Sequence, residues 1–343
     1  MLSLHSYAPF PVGLHFLSVI AALAILIAFS ARPDSLMDGA ARKTFSDAMR
    51  SSLAGHHDIA EATARNWERA GLPEGRILQA VAGMSRFADL HELAALERSR
   101  KALNESLKRL EGGKSARDRY LYAIALSQDS YLASLEGRNL TAALSGRKAA
   151  NLCQDLMAEG YDSPDLKGIL GGYLFWKSQS LGMLRSAFGG DTRDKGIEWT
   201  RQAASADGPF QEAYRTSLMW IRFERKEFAQ GLALARAGLA ASPGNRIYRQ
   251  AEGDMLFRLG RIPDALAAYR ASWTEYVGLE QIPSNRLSAA GNLARIHEAA
   301  GRPDSARAWL DTLDATRYIP VRKWLPPSLV RELEPVRKRL GRR

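Results

Sequence analysis

A recurring turn motif constrains the fold of this chain more than any other feature. Residues 260–265 read Gly-Arg-Ile-Pro-Asp-Ala, and residues 301–306 repeat the frame as Gly-Arg-Pro-Asp-Ser-Ala. Residues 137–142 keep the Gly-Arg-x-x-x-Ala frame, while residues 55–60 keep its glycine and its alanine. The glycine lets the chain reverse at a helix end, where a positive φ is needed, and the alanine leaves room for a close second helix. The motif therefore predicts pairs of antiparallel helices.

The segments between these turns have the periodicity of helices. Apolar residues recur at positions i, i+3, i+4 and i+7. One such stripe consists of Leu90, Leu93, Ala94, Leu96, Leu103, Leu107 and Leu110. No segment of convincing length alternates as a strand would. With 46% hydrophobic and 25% charged residues, the composition is that of a globular protein, and we expect it to be all-α.

Residues 212–279 resemble the tetratricopeptide repeat (TPR) family, whose unit is a helix–turn–helix of about 34 residues. With Gly260 at the turn, Gly253 takes the small position of the first helix. Ala265 and Tyr269 take the packing positions of the second helix. The resemblance implies a TPR-like α-solenoid, in which stacked hairpins expose their first helices on a concave face that holds partner segments.

The match is uneven along the chain. One repeat before Gly260, Lys226 stands at the turn glycine and Gly231 at the packing alanine. We expect hairpins over roughly residues 40–316. The expected parts are an N-terminal tail and membrane helix (1–31), degenerate TPR-like hairpins (32–211), better-matched repeats (212–316) and a basic, Pro-containing C-terminal tail (317–343).

The stretch from Met1 to Ala31 contains no Lys, Arg, Asp or Glu. The apolar run that begins at Val12 and ends at Phe29 would be ~27 Å long as a helix, close to the ~30 Å hydrocarbon core of a bilayer. It predicts one N-terminal transmembrane helix, kept as a single-pass anchor. A cleaved signal peptide is one alternative, because Ala28 and Ser30 are small residues that suit cleavage after Ser30, although no basic segment precedes the run. A buried helix is the other.

The predicted location is a bacterial inner membrane. The apolar run indicates the membrane, and the richness in Ala and Arg is typical of bacteria with high genomic GC. Arg32, Arg42, Lys43 and Arg50 follow the run, which slightly favours a cytoplasmic main domain under the positive-inside rule. A signal-like anchor would place that domain outside. Both orientations stay open at this point.

Residues 317–343 hold nine basic residues against two acidic ones, which is +7 of the net charge of +11. Because residues 1–316 are nearly balanced, nucleic acid is not an expected partner of the main domain. Four prolines argue against one long helix in this segment, and we predict an electrostatic contact element outside the solenoid. Its candidate contacts with an anionic lipid surface are Arg322, Lys323, Trp324, Arg337, Lys338, Arg339, Arg342 and Arg343. The alternative is a basic end that packs Trp324 onto the last hairpin.

No motif in the sequence indicates catalysis. His57 and Glu61 are four residues apart, but a metal site needs further ligands. We expect an exposed helix start there, because His57 stands where the repeat has the residue that begins a helix. Cys153, the single cysteine, excludes an intrachain disulfide, and it is expected to be a buried structural thiol. We therefore expect no enzyme activity, catalytic residue, cofactor or metal.

The expected function is therefore carried by a surface. The candidate partner-binding residues on the concave face are Thr216, Trp220, Phe223, Glu224, Gln250, Asp254, Phe257, Arg258 and Arg295. Trp and Arg are typical of binding hot spots, although aromatic side chains here have the alternative of packing between hairpins. The main hypothesis is a membrane-anchored scaffold for proteins in envelope assembly, secretion or polysaccharide export. The alternative is an exported or soluble repeat protein whose basic tail binds an acidic surface, either lipid or nucleic acid.

Overall fold

The computed structural model describes residues 36–181, 190–279, 284–315, 325 and 327–341. These residues form fifteen α-helices and no β-strand. In chain order the helices are α1 (Gly39–Leu53), α2 (His57–Arg69), α3 (Pro73–Leu90), α4 (Leu93–Leu110), α5 (Ala116–Leu135), α6 (Asn139–Ala158), α7 (Pro164–Leu181), α8 (Arg193–Ser205), α9 (Gln211–Glu224), α10 (Phe228–Ala241), α11 (Arg246–Arg258), α12 (Ile262–Glu275), α13 (Ser284–Ala299), α14 (Pro303–Asp314) and α15 (Pro327–Arg339). The predicted all-α class is confirmed for this part of the chain.

The helices are joined in hairpins by the turns that the sequence predicts. The four motif glycines have positive φ angles: Gly55 (91°), Gly137 (73°), Gly260 (73°) and Gly301 (69°). Ala60, Ala265 and Ala306, each five residues after its glycine, are fully buried between helices. Lys226, which stands where the repeat lacks its glycine, takes the same left-handed conformation with φ 59°. The turn geometry is therefore kept even where the glycine is missing.

The predicted membrane anchor between Val12 and Phe29 lies outside the described residues. Among the helices that the structure does describe, none is both long enough and apolar enough to cross a bilayer. The anchor stays a prediction from the sequence.

The array of hairpins coils tightly enough to meet itself. The first helix of the first hairpin, α1, contacts α9, and α3 contacts α13. At the first of these contacts the rings of Phe45 and Phe210 lie 4.8 Å apart. At the second, the Asn285 side-chain amide donates hydrogen bonds to the main-chain oxygens of Ala88 (2.7 Å) and Asp89 (3.0 Å). The early hairpins are thus braced against the late ones.

Asp89, at the end of α3, is the centre of a buried polar cluster at this contact. Arg246 Nε lies 2.8 Å from its carboxylate, and the Tyr276 hydroxyl donates to it at 3.2 Å. His57 Nε2 lies 3.0 Å from Asp89, and His57 Nδ1 lies 3.1 Å from the Ser52 hydroxyl. Burial alone would raise the pKa of Asp89, but the hydrogen bonds from His57 and Arg246 outweigh it and lower that pKa. The expectation of an exposed His57 is wrong, since its side chain is 3% exposed.

The described part of the basic C-terminal segment is a helix that packs on the solenoid. One face of α15 buries Leu329, Leu333 and Val336 against Leu287 of α13 and Leu310 of α14. The prediction of a segment apart from the solenoid is wrong for these residues. An apolar stripe at i, i+4 and i+7 outweighs the like charges of this helix. Two of those charges, Arg337 and Arg339, are also paired with Asp314 and Glu298.

Replacing Leu333 by alanine is expected to lower the free energy of unfolding by about 2 kcal/mol. The value lies at the low end for a buried leucine because a helix at the end of the array is free to shift into part of the cavity. Urea unfolding measures the change. The control is Val330→Ala on the same helix, where the side chain is 43% exposed and a cost within about 0.5 kcal/mol is expected. Equal costs for the two variants would contradict the packing of α15.

Candidate functional site

Successive hairpins place their first helices, α9, α11 and α13, so that the predicted binding residues lie side by side. Six of these residues, together with one residue that the sequence analysis missed, form a continuous group that we call the arginine–aromatic cluster. Its members are Trp220 and Phe223 of α9, Asp254, Phe257 and Arg258 of α11, Arg295 of α13, and Glu332 of α15. Asp254, Phe257 and Arg258 share one helix face because they are three and four residues apart.

The aromatic part of the cluster is partly buried. The rings of Trp220 and Phe223 meet edge to face with 5.8 Å between centroids, and Phe223 meets Phe228 in the same way at 5.5 Å. Phe257, like these three, packs against the buried core between the hairpins and still keeps part of its surface accessible. These aromatic side chains therefore pack between the hairpins and also leave part of each ring accessible to a ligand.

The two arginines of the cluster lie over aromatic rings. The Arg295 guanidinium is 4.3 Å from the centre of the Phe257 ring, and the Arg258 guanidinium is 6.0 Å from that of Phe223. These distances allow cation–π attraction, which strengthens when the cation is desolvated. The Arg295 side chain is 11% exposed, and its burial lowers the pKa of the guanidinium.

The two acidic residues of the cluster have different roles. The buried hydroxyl of Tyr269 donates to Asp254, and burial raises the pKa values of both groups. Glu332 instead reaches across from α15 to both arginines. Its Oε1 lies 2.6 Å from Arg258 Nη2, and its Oε2 contacts Arg295 Nη1. The sequence offers one hint of this role, because Glu332 is an acidic residue in a segment with nine basic ones. Its place beside the arginines, however, follows only from the packing of α15.

Three predicted binding residues stand apart from this cluster. The Thr216 hydroxyl is engaged with the Glu212 main-chain oxygen (2.9 Å) and the Tyr248 hydroxyl (3.1 Å). Gln250 is partly buried and Glu224 is exposed. Neither has a contact that joins it to the arginines.

The predicted anionic-surface residues divide into three groups. Arg337 forms two hydrogen bonds to Asp314 (the longer 2.7 Å), and Arg339 forms two to Glu298 (2.6 and 2.9 Å). Lys338 is exposed to solvent. The others lie outside the described residues: Arg322, Lys323, Trp324, Arg342 and Arg343. Two of the expected surface charges are thus already engaged within the solenoid.

The side chains that the structure describes include no group of three or more His, Cys, Asp or Glu residues suited to a metal ion. Cys153 is fully buried, as expected from the sequence, and burial raises the pKa of its thiol well above the ordinary range. Such a thiol is a poor nucleophile, because the thiolate is the reactive form.

The spacing of the turns decides the fold. The left-handed residues Lys226 and Gly260 end the first helices of successive hairpins. Their separation along the chain equals the TPR unit of about 34 residues. Gly253 lies so close to Tyr269 that an added Cβ would meet the ring at 3.0 Å. This is the small-against-large contact that the TPR unit has between its two helices. The fold is a TPR-like α-solenoid.

Neither a protein-family model nor a curated protein matches the chain. Solved structures that resemble it include PilW, a type IV pilus biogenesis factor (15% identity, 75% of this chain and 98% of that chain, TM-score 0.47). NprR in complex with its cognate peptide NprX is another (13%, 88% and 84%, 0.49). A tetratricopeptide repeat protein from Parabacteroides merdae is a third (13%, 86% and 98%, 0.39). At these identities and TM-scores, function has to be inferred from this chain's own residues.

A buried carboxyl group outside the cluster, that of Asp165, predicts an unusual pH dependence. The Tyr120 hydroxyl donates to it at 2.7 Å, while its Oδ1 has no hydrogen-bond partner. Burial raises the pKa of Asp165 to about 6. Because the pKa is higher in the folded state, the stabilisation is complete below about pH 4 and is lost as the pH rises through about 6.

We therefore expect Asp165→Asn to unfold with nearly the same free energy as the wild type at pH 4.5. At pH 7.5 the variant is expected to be more stable, by roughly 2 kcal/mol, because the wild type then holds a buried charge. Urea unfolding at four pH values between these limits measures the difference. The exposed Asp207→Asn serves as the control for loss of a carboxylate. A difference that does not grow with pH would refute the assignment.

Proposed function

We propose that this chain is a protein-interaction scaffold that binds a segment of a partner protein on the arginine–aromatic cluster. The observation that carries the proposal is the junction of Trp220, Phe223 and Phe257 with Arg258 and Arg295 on neighbouring first helices. Aromatic and arginine side chains of this kind, partly exposed and fixed by packing, are enriched in binding hot spots. Because the packing holds them in place, little side-chain entropy is lost when a partner binds.

Selection of peptides from a random phage-displayed library on the full chain in detergent tests this proposal. The expected peptides bind the wild type at least about tenfold more tightly than Trp220→Ala, as loss of a hot-spot residue predicts. Trp176→Ala is the matched control, because Trp176 is a 42% exposed tryptophan of α7. Thermal melting verifies that Trp220→Ala is folded. Peptides that bind both tryptophan variants equally would contradict the proposed site.

We further propose that the scaffold is anchored in a bacterial inner membrane by the segment from Val12 to Phe29. The support is the absence of formal charge from Met1 to Ala31 together with the lack of a basic segment before the run. A role in envelope assembly, secretion or polysaccharide export is consistent with such an anchor. Carbonate extraction of membranes is expected to leave the full chain in the pellet and to release a variant without residues 1–31. A mature protein that begins at Ala31 would exclude the anchor.

Contact of the C-terminal end with an anionic surface is the alternative proposal. Its support is the charge of +7 in residues 317–343 and the exposure of Lys338. Deleting the segment would remove α15, so charge reversal of Lys338, Arg342 and Arg343 is the better test. Reversal is expected to weaken binding to vesicles with anionic lipid, whereas reversal of Lys43, Lys101 and Lys108 is the control. Equal vesicle binding by the two triple variants would exclude this contact.

A further inference from the structure

We propose that the arginine–aromatic cluster recognises an acidic side chain of its partner, and that Glu332 occupies the place of that side chain in the free protein. The inference rests on the proposed function, because it names the chemistry of the segment that binds on the same face. The carboxylate of Glu332 comes from another helix and contacts both Arg258 and Arg295. A carboxylate of a bound segment has the same shape and charge, and it fits the same pair of guanidinium groups.

The charges of the cluster favour a carboxylate at this position. Arg258 and Arg295 lie on successive first helices and bring two positive charges to a partly buried place. Asp254 is nearby, but its carboxyl group is taken by the Tyr269 hydroxyl. Without Glu332, the largely buried guanidinium of Arg295 would lose a partner in a place that water reaches poorly. A buried charge without a partner is costly, so the site is built to hold an anion.

One hydrogen-bond donor of the cluster has no acceptor. Nε of Arg295 is buried and has no hydrogen-bond partner, although more than nine tenths of this residue is shielded from solvent. Glu332 contacts the Nη1 end of the same guanidinium. A carboxylate that reached Nε together with an Nη nitrogen, after the groups that bury Nε had moved aside, would form the paired hydrogen bonds that arginine makes best. Glu332 is therefore an incomplete ligand, and a better-placed acidic side chain has a donor to gain.

Exchange of Glu332 for another carboxylate does not require α15 to detach. The helix is held by Leu329, Leu333 and Val336, which are buried against the last hairpin. The Glu332 side chain is 30% exposed, and the neighbouring Arg258 is 38% exposed. We expect a rotation of this side chain to uncover the guanidinium ends that it contacts, so that a ligand from solvent can reach them. Glu332 thus lowers the affinity for acidic segments without blocking the site.

The aromatic neighbours define the rest of the expected ligand. Phe223 lies beneath Arg258, and Trp220 meets Phe223 edge to face, so an accessible apolar surface adjoins the arginine pair. A segment that alternates acidic and apolar residues would place a carboxylate on the arginines and an apolar side chain on these rings. The partner surface we infer is such an acidic, partly apolar peptide.

Fluorescence anisotropy with the full chain in detergent tests the inference. The probe is a fluorescein-labelled heptapeptide of alternating glutamate and leucine, and its comparison replaces every glutamate with glutamine. We expect the acidic peptide to bind at least about tenfold more tightly than the glutamine peptide and to weaken with salt. Arg258→Glu should remove most of this preference. Arg201→Glu, at an exposed arginine of α8 that also pairs with a glutamate, is the matched control and should keep it.

Glu332→Gln gives the decisive result, because it is expected to raise the affinity for the acidic peptide by about threefold to tenfold. A variant that merely misfolds would not gain affinity. An unchanged or lower affinity in Glu332→Gln overturns the inference, as does an equal affinity of Arg258→Glu and Arg201→Glu for the acidic peptide.

The failure of this inference is distinguishable from failure of the proposed function. If peptides selected from the random library need Trp220 but show no preference for glutamate over glutamine, the face binds a partner and the acidic chemistry is wrong. If neither the selected peptides nor the acidic peptide depends on the cluster, the proposed function fails with it.

Discussion

Replacing Asp89 by alanine is expected to lower the free energy of unfolding by about 3–5 kcal/mol. The substitution leaves Arg246, His57 and Tyr276 without the carboxylate that all three contact. The Arg246 side chain is 16% exposed, so water replaces the lost partner only in part. A charge left unpaired in a buried place accounts for most of the expected loss.

Asp47→Ala is the matched control for this prediction. Asp47 also pairs with two basic side chains, Lys43 and Arg50, but its own side chain is 44% exposed. We expect a cost within about 1 kcal/mol there, since exposed ion pairs contribute little. Urea unfolding of the two variants at pH 7 measures both values. A loss for Asp89→Ala as small as that for Asp47→Ala would contradict a structural role of the buried cluster.

The same variant is also expected to loosen the contact between the early and late hairpins. Arg246 begins α11, whereas Asp89 ends α3, and their pairing joins positions 157 residues apart. We expect faster amide hydrogen exchange in α1 and at the start of α11 in Asp89→Ala, with little change in α14. Such a pattern distinguishes a solenoid whose early and late hairpins have separated from one that is destabilised uniformly.

The hairpins were predictable because their signals are local. A glycine that ends one helix and an alanine five residues later report on contacts within a single repeat, and Gly260 and Ala265 have these roles in the structure. The contact of α3 with α13 has no comparable local signal in the sequence. It depends on how far the solenoid coils over several degenerate repeats, and small changes in each hairpin add up along the chain. His57 was misplaced for a different reason: its hydrogen-bond partner Asp89 is 32 residues away, at the far end of the next helix, and the local helix pattern does not reveal that contact.

The candidate site was predictable in part for the same reason. The helix positions of Trp220, Phe257 and Arg258 follow from the repeat register, and the structure brings these residues together. Glu332 was missed because the many positive charges of residues 317–343 led us to expect a solvent-exposed segment. The stripe of Leu329, Leu333 and Val336 was present in the sequence and predicts the packing face of α15. The sequence does not show that this stripe decides where α15 lies despite its positive charge, because the leucines of α13 and α14 that it packs against are distant in the chain.

Replacing Ala265 by tryptophan is expected to lower the free energy of unfolding by about 3 kcal/mol or more. Ala265 is fully buried where α12 packs against α11, in the same core as Tyr269 and Leu256. An indole has no space there, so the two helices must separate or adjacent side chains must leave their preferred rotamers. Ala306→Trp is expected to behave in the same way, because Ala306 is the equivalent residue of the last hairpin and is equally buried.

Ala267→Trp gives this prediction its matched control. Ala267 lies two residues further along α12, on the opposite face, and is exposed. The two variants share the same change in helix propensity and side-chain entropy, so the difference between their unfolding free energies isolates the packing of α12 on α11. We expect Ala267→Trp to cost less than about 1 kcal/mol. If Ala265→Trp and Ala267→Trp melt at the same temperature, Ala265 does not occupy the packing position that the TPR-like register assigns to it.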